Sequence, residues 1–185
     1  SRVEVLRGPF SSLYGNSSGG VVQVFTEQGE GPLVITPGFA FGSDGFYRGG
    51  LRAAGSTGML GYSLSVSKIA TDGYREHSAA DRTLANTRLD LSLVGGGQLT
   101  LVANRVEVKA DDPLGLTRTQ FDVNPRAVDP VALQFNTRKT VTQTQGGLVY
   151  THPLGGGNQL RAMVYTGSRD AVQFQAIPVG AQGPA

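Results

Sequence analysis

The chain has 185 residues, a net charge of +2 and no Cys, which excludes disulfide scaffolds, thiolate metal sites and Cys nucleophiles. Its 27 Gly are about double the usual share, while charged residues at 16% fall below the ~25% of ordinary soluble domains. So small a net charge makes no nucleic-acid footprint, even with a pI of 9.1.

Residues 1–31 read as a strand through Val3 and Val5, a break at Gly8-Pro9, at most one helical turn to Tyr14, a Gly-bounded loop, and a second strand from Val21 to Phe25. Gly8, Gly15, Gly19 and Gly20 are structural candidates, because they permit positive φ or close backbone packing. Beyond residue 31 helical periodicity is nearly absent and period-two alternation takes over. Leu33–Phe41 is a strand with an internal Pro37, and Gly42–Gly45 is a turn. Phe46–Ala54 follows, with Tyr47, Leu51 and Ala53 on one face and Arg48, Gly50 and Arg52 on the other. Gly55–Gly58 turns the chain again. Leu60, Tyr62, Leu64 and Val66 then alternate with Gly61, Ser63, Ser65 and Ser67, the cleanest two-sided strand.

Asp72–Arg82 reads as a polar loop. Leu89, Leu91 and Leu93 alternate with Arg88, Asp90 and Ser92, and Gly95–Gly97 closes a hairpin. Leu99 opens a strand to about Ala110. A long connection with Pro113, Pro125 and Pro130 and no clear period runs from Asp111 to roughly Asn136. Lys139–Thr151 and Leu160–Thr166 are the last strands, separated by a turn at Pro153–Asn158, and the tail after Asp170 is ambiguous. The chain starts inside a strand-like run and closes on Gly183-Pro184-Ala185, which suggests an internal piece of a longer protein.

From Asp72 onward the connections alternate long and short. Outer-membrane barrels have that pattern, with short periplasmic turns, longer extracellular loops and strands alternating apolar-out and polar-in. The strand pattern alone fits a half-solvated antiparallel sheet equally well. No chemistry-bearing constellation stands out. Asp111 and Asp112 are sequence neighbours that point to opposite faces of a strand. His77 and His152 have no metal-ligand spacing, and no hydrolase or phosphate-loop motif occurs. The expectation is a protein that is no enzyme and carries no cofactor or metal.

The run from Arg2 to Thr26, "RVEVLRGPFSSLYGNSSGGVVQVFT", resembles the end of the plug domain of TonB-dependent outer-membrane receptors. That family's plug closes with a strand, an L-R-G-P break, an L-Y-G step and a G-G-V-I-like strand just before the barrel. Asn124-Pro125-Arg126, Asp129-Pro130 and Asn136-Thr137-Arg138-Lys139 resemble an extracellular loop of siderophore-receptor members more loosely. The resemblance implies an all-β fold: residues 1–31 as the C-terminal part of the plug, and 32–185 as about seven strands of a transmembrane antiparallel barrel of about 22 strands. It implies energised uptake of a ferric siderophore or similar iron complex across the bacterial outer membrane. The implied partners are TonB, acting through a more N-terminal segment, the ligand, and outer-membrane lipid and lipopolysaccharide. A passive porin, an adhesin barrel or a soluble β-sheet binding module are the alternatives.

The resemblance also carries Arg7, in the L-R-G-P break, to a contact with lumen carboxylates. Glu4 is the second plug charge expected to meet the barrel. Ferric siderophores are often anionic, and Arg and aromatic side chains suit such ligands. Tyr74 and Arg75 in the first long loop, and Arg118, Phe121 and Arg126 in the second, are therefore the candidate ligand contacts.

Overall fold

The computed structural model describes residues 2–8 and 19–177. Two antiparallel sheets are formed. The first is a hairpin-like pair of β1 (Arg2–Arg7) and β2 (Gly20–Phe25). The second has seven strands in sequence order: β3 (Val34–Phe41), β4 (Tyr47–Thr57), β5 (Leu60–Thr71), β6 (Ala80–Ser92), β7 (Gln98–Asp111), β8 (Arg138–Gly155) and β9 (Asn158–Phe174). The all-β antiparallel expectation holds. The sheet is open, with β3 and β9 as its edges among the described residues.

Most strands run past their expected ends. β4 continues through Gly55, Ser56 and Thr57, and the chain turns at Gly58-Met59. Here the Gly-Ser-Thr-Gly run reads as a turn, yet cross-strand pairing with Tyr62, Gly61 and Leu60 keeps the backbone extended. β6 starts at Ala80, inside the expected polar loop, because Ala80 and Asp81 pair with both β5 and β7. β8 reaches Gly155 through a register shift at Pro153/Gly155, which accommodates a proline that has no N–H to give the ladder. β9 carries the ambiguous tail to Phe174.

The long connection holds two helices that periodicity did not reveal. α1 (Arg118–Val123) starts at a reciprocal capping box between Thr117 and Gln120. α2 (Pro130–Phe135) starts with Asp129 accepting from the Val131 amide and Pro130 in the first turn, and ends on Asn136 in the left-handed conformation. Six residues are too few for a helical period to show.

The connections at one end of the sheet are 42–46, 72–79 and 112–137; those at the other are 58–59, 93–97 and 156–157. The two longest connections, 72–79 and 112–137, therefore share one end, while 42–46 at that end is no longer than 93–97 at the other.

Directly paired residues point to the same face, so the register sorts the side chains. One face presents Ile35, Pro37, Phe39 and Phe41 on β3, Leu60 to Val66 on β5, Leu89 and Leu91 on β6, Leu99, Leu101 and Ala103 on β7, and Leu160 to Val164 on β9. The other carries Arg48 and Arg52, Ser63, Ser65 and Ser67, and Asn86, Arg88 and Asp90 on β4–β6, and on β7–β9 it mixes Asn104 and Gln145 with Val102, Val149, Met163 and Tyr165.

The upper edge of the apolar band slants across the ladder. On β3 and β4 it reaches the Phe41–Tyr47 rung. On β5 it ends at Val66, before Lys68, and on β7 at Ala103, before Arg105. On β9 it ends at Val164, which shares a rung with Leu148, Leu101, Leu89 and Tyr62. From Phe41 to Val164 the edge drops by four rungs, or eight residues, over six strand intervals. With ~3.4 Å per residue and ~4.8 Å between strands, the slant is roughly 40–45° from the perpendicular to the strands.

This face has no protein cover. Among the described residues only Ala54, Val128 and Ala132 are buried hydrophobics. The chain exposes 12767 Å², against about 8500 Å² expected for a compact monomer of its 19.4 kDa mass.

Candidate functional site

Two regions gather polar and charged side chains: the connections at the long end of the sheet, and the polar face where residues 26–31 cross it.

At the long end, Arg75 organises the 112–137 connection. Its guanidinium donates to the carbonyls of Ala127 (2.8 Å), Leu114 (2.6 Å) and Pro113 (3.1 Å). A planar five-donor fork is the side chain suited to three carbonyls at once. One of them, Leu114, has φ of 55°, sparsely populated for a bulky residue, and the Arg75 bond holds that turn. Nearby, His77 Nε2–H donates to the Thr137 carbonyl at 2.9 Å. Fully buried Thr137 donates its hydroxyl to the Asp112 carbonyl, and the Asp112 amide returns a bond to Thr137. The loop base is thus closed on itself and braced by the 72–79 connection.

Above this base, Tyr74, Arg75, Leu116, Arg118, Phe121 and Pro125 line an open pocket of about 510 Å³. Four of the five expected ligand-contact residues therefore share one pocket, and the fifth, Arg126, lies against one of the four, with its guanidinium over the Tyr74 ring. Their availability differs. Arg75 is committed to loop carbonyls. Arg118 pairs with Asp122 one helical turn on and is strongly exposed. Tyr74 and Phe121 present exposed rings. The pocket is an aromatic-lined recess rimmed by guanidinium groups, suited to a flat or anionic ligand. No three His, Asp or Glu side chains cluster to hold a metal among the described residues.

On the polar face, Arg88 donates Nε and one terminal N–H to Asp90, at 2.7 and 3.0 Å. Asp90, 6% exposed, also accepts from Thr100 Oγ1 at 2.7 Å, and Gln28 lies beside it. The remaining Arg88 terminal N–H donates to the Thr26 carbonyl at 2.7 Å. Glu27 pairs with Arg52 at 2.9 Å. Gly29 is buried flat on the sheet: a Cβ there would lie 1.8 Å from the Tyr62 carbonyl oxygen, and one on Gly61 would lie 2.7 Å from the Gly29 carbonyl. The Gly31 carbonyl accepts from the Ser56 amide at 2.7 Å. The sequence marked Arg88, Asp90 and Gly61 as a polar strand face but did not single out this cluster. The i, i+2 Arg-Asp spacing on one strand face is the signal for it.

The expected plug charges sit elsewhere. Glu4 pairs with Arg2 on its own strand at 3.0 Å, and Arg2 stacks over Phe25. Arg7 is exposed at the end of β1 and makes no ion pair among the described residues. Gly8 and Gly20 have φ of 120° and 144°, and a Cβ on Gly20 would meet the Leu6 carbonyl at 2.6 Å. Gly19 has open space around it. Gly15 lies outside the described residues.

No family model matches the chain.

Proposed function

We propose that the chain belongs to a plugged transmembrane β-barrel, with residues 32–185 as consecutive barrel strands and 1–31 as the end of the plug. The carrying observation is the slanted apolar band. In a barrel with strands tilted by ~35–45°, points at equal membrane depth follow a diagonal through the hydrogen-bond ladder. The edge from Phe41 to Val164 has that slope. The uncovered apolar face, the polar opposite face of β4–β6 and the placing of the two longest connections at one end support the same reading. A soluble module of this size would bury more hydrophobic residues than the three buried among the described residues.

Within that class, we propose a TonB-dependent receptor that takes up a ferric siderophore or similar iron complex. Two features support this: the plug-like run from Arg2 to Thr26, and the aromatic, guanidinium-rimmed pocket at the long-loop end. The ligand binds at that end, and TonB pulls on a more N-terminal part of the plug to open a path. No covalent step is involved.

The test is to express the full open reading frame in cells lacking their own siderophore receptors and feed radioactive ferric hydroxamate and catecholate chelates. Accumulation that disappears when TonB is deleted is the expected result. Equal, TonB-independent entry of small solutes would indicate a passive porin, and recovery of the protein in the soluble fraction would overturn the membrane reading.

A further inference from the structure

Residues 26–31 are attached to the sheet along their whole length. Asp90 is buried and saturated by Arg88 and Thr100, so the Arg88 guanidinium is held in one orientation, with its last N–H group aimed at the Thr26 carbonyl. Glu27 is tied to Arg52, Gly29 fits a seat that admits no side chain, and Gly31 accepts from Ser56. The hairpin before this segment is different. Arg2 and Phe25 stack on each other and face Arg52 and Arg88 across an open cleft of about 630 Å³. Among the described residues, attachment to the sheet therefore changes between Phe25 and Thr26.

We infer that residues 26–31 are a static seam anchored by Arg88 and Asp90, and that movement of the plug ends at Phe25–Thr26. This rests on the plugged-barrel reading. The barrel wall carries the seam as part of itself, and any rearrangement that opens the lumen pivots the β1–β2 pair at that boundary.

The first test needs no transport. Nitroxide labels are placed on the full-length receptor in detergent, on Val24→Cys in the hairpin or Glu30→Cys in the seam, both at exposed positions. In a urea titration the Val24 label becomes mobile at least about 1 M before the Glu30 label. Arg88→Ala brings the Glu30 transition down onto the Val24 one, and the milder Arg52→Ala moves it part of the way. Coincident transitions in the unaltered seam, or no response to either variant, overturn the inference. The second test bridges Glu27→Cys to Arg52→Cys, or Arg2→Cys to Val34→Cys, with a short bifunctional thiol reagent. Bridging the seam leaves uptake of a ferric hydroxamate within about twofold, while bridging the cleft lowers it about tenfold or more. Loss of uptake on seam bridging, or its retention on cleft bridging, overturns the inference. If the unbridged receptor moves no ferric chelate, the transport reading fails while the urea arm still decides on the seam.

Discussion

The Arg126 guanidinium lies over the Tyr74 ring, 4.4 Å from its centroid, and donates to Asp44 at 3.0 Å. One side chain thereby links the 42–46, 72–79 and 112–137 connections. Asp44 is the better-shielded partner, and the pair is partly exposed, so its electrostatic part is modest. A double-mutant cycle of Arg126→Ala and Tyr74→Phe or Ala is expected to give a coupling of about 0.5–1 kcal/mol for the Ala pair and less for Phe, which keeps the ring face. Thermal unfolding of the full-length protein at low salt measures it. Additive effects would show the stack to be energetically idle.

Arg75 carries more. Its three bonds to loop carbonyls are charge-assisted, and each contributes about 1.5 kcal/mol or more net. Arg75→Ala should raise the rate of proteolytic cleavage within 112–137 by about tenfold or more, through local opening of the loop. Arg75→Lys should restore only part of the protection, because an ammonium cannot span three carbonyls in one plane. Equal cleavage of both variants and the parent would remove the brace from the account.

Gly29 provides a steric test. A Cβ 1.8 Å from the Tyr62 carbonyl has no room, and backbone on both sides cannot yield cheaply. Gly29→Ala should destabilise by about 2 kcal/mol or more, within the range of overpacking. Gly115→Ala is the control: its Cβ would meet nothing, and it should be neutral or slightly stabilising. Denaturant midpoints of the two variants should separate clearly.

Leu64 and Ser65 are neighbours on β5 that face opposite sides of the sheet, Leu64 in the middle of the apolar band and Ser65 beside Arg52 and Asn86. On the barrel reading proposed above, Leu64→Lys should cost about 2–4 kcal/mol as a charge near the bilayer midplane, and Ser65→Lys far less. Folding into lipid vesicles, followed by the mobility shift between heated and unheated samples, reads the difference. Equal, small effects would favour a water-facing sheet.

Much of the sheet was readable because period two survives wherever one face is apolar. Leu60, Tyr62, Leu64 and Val66 against Gly61, Ser63, Ser65 and Ser67 place both faces of β5 correctly from the sequence. Strand ends were less readable, since Gly55–Thr57 has turn composition and only its partners on β5 hold it extended. The two helices were hidden by their brevity, although the Thr117–Gln120 box and the Asp129-Pro130 pair mark their starts. At the loop end, the ligand implied by the family resemblance, together with side-chain type, picked out Tyr74, Arg75, Arg118, Phe121 and Arg126, and four of them share a pocket. That Arg75 is spent on carbonyls depends on contacts 38 to 52 residues away in sequence, which no local pattern encodes.

The closed base of the 112–137 connection separates two tasks within one loop. His77, Asp112, Thr137 and Arg75 fasten its roots, while α1 and the residues around Phe121 form a tip that takes no part in that fastening. The tip is therefore an exchangeable cassette. Residues 116–123 can be replaced by a segment of different chemistry, with the roots and Arg126 left to hold it, so the loop tip can be re-engineered without refolding the strands beneath.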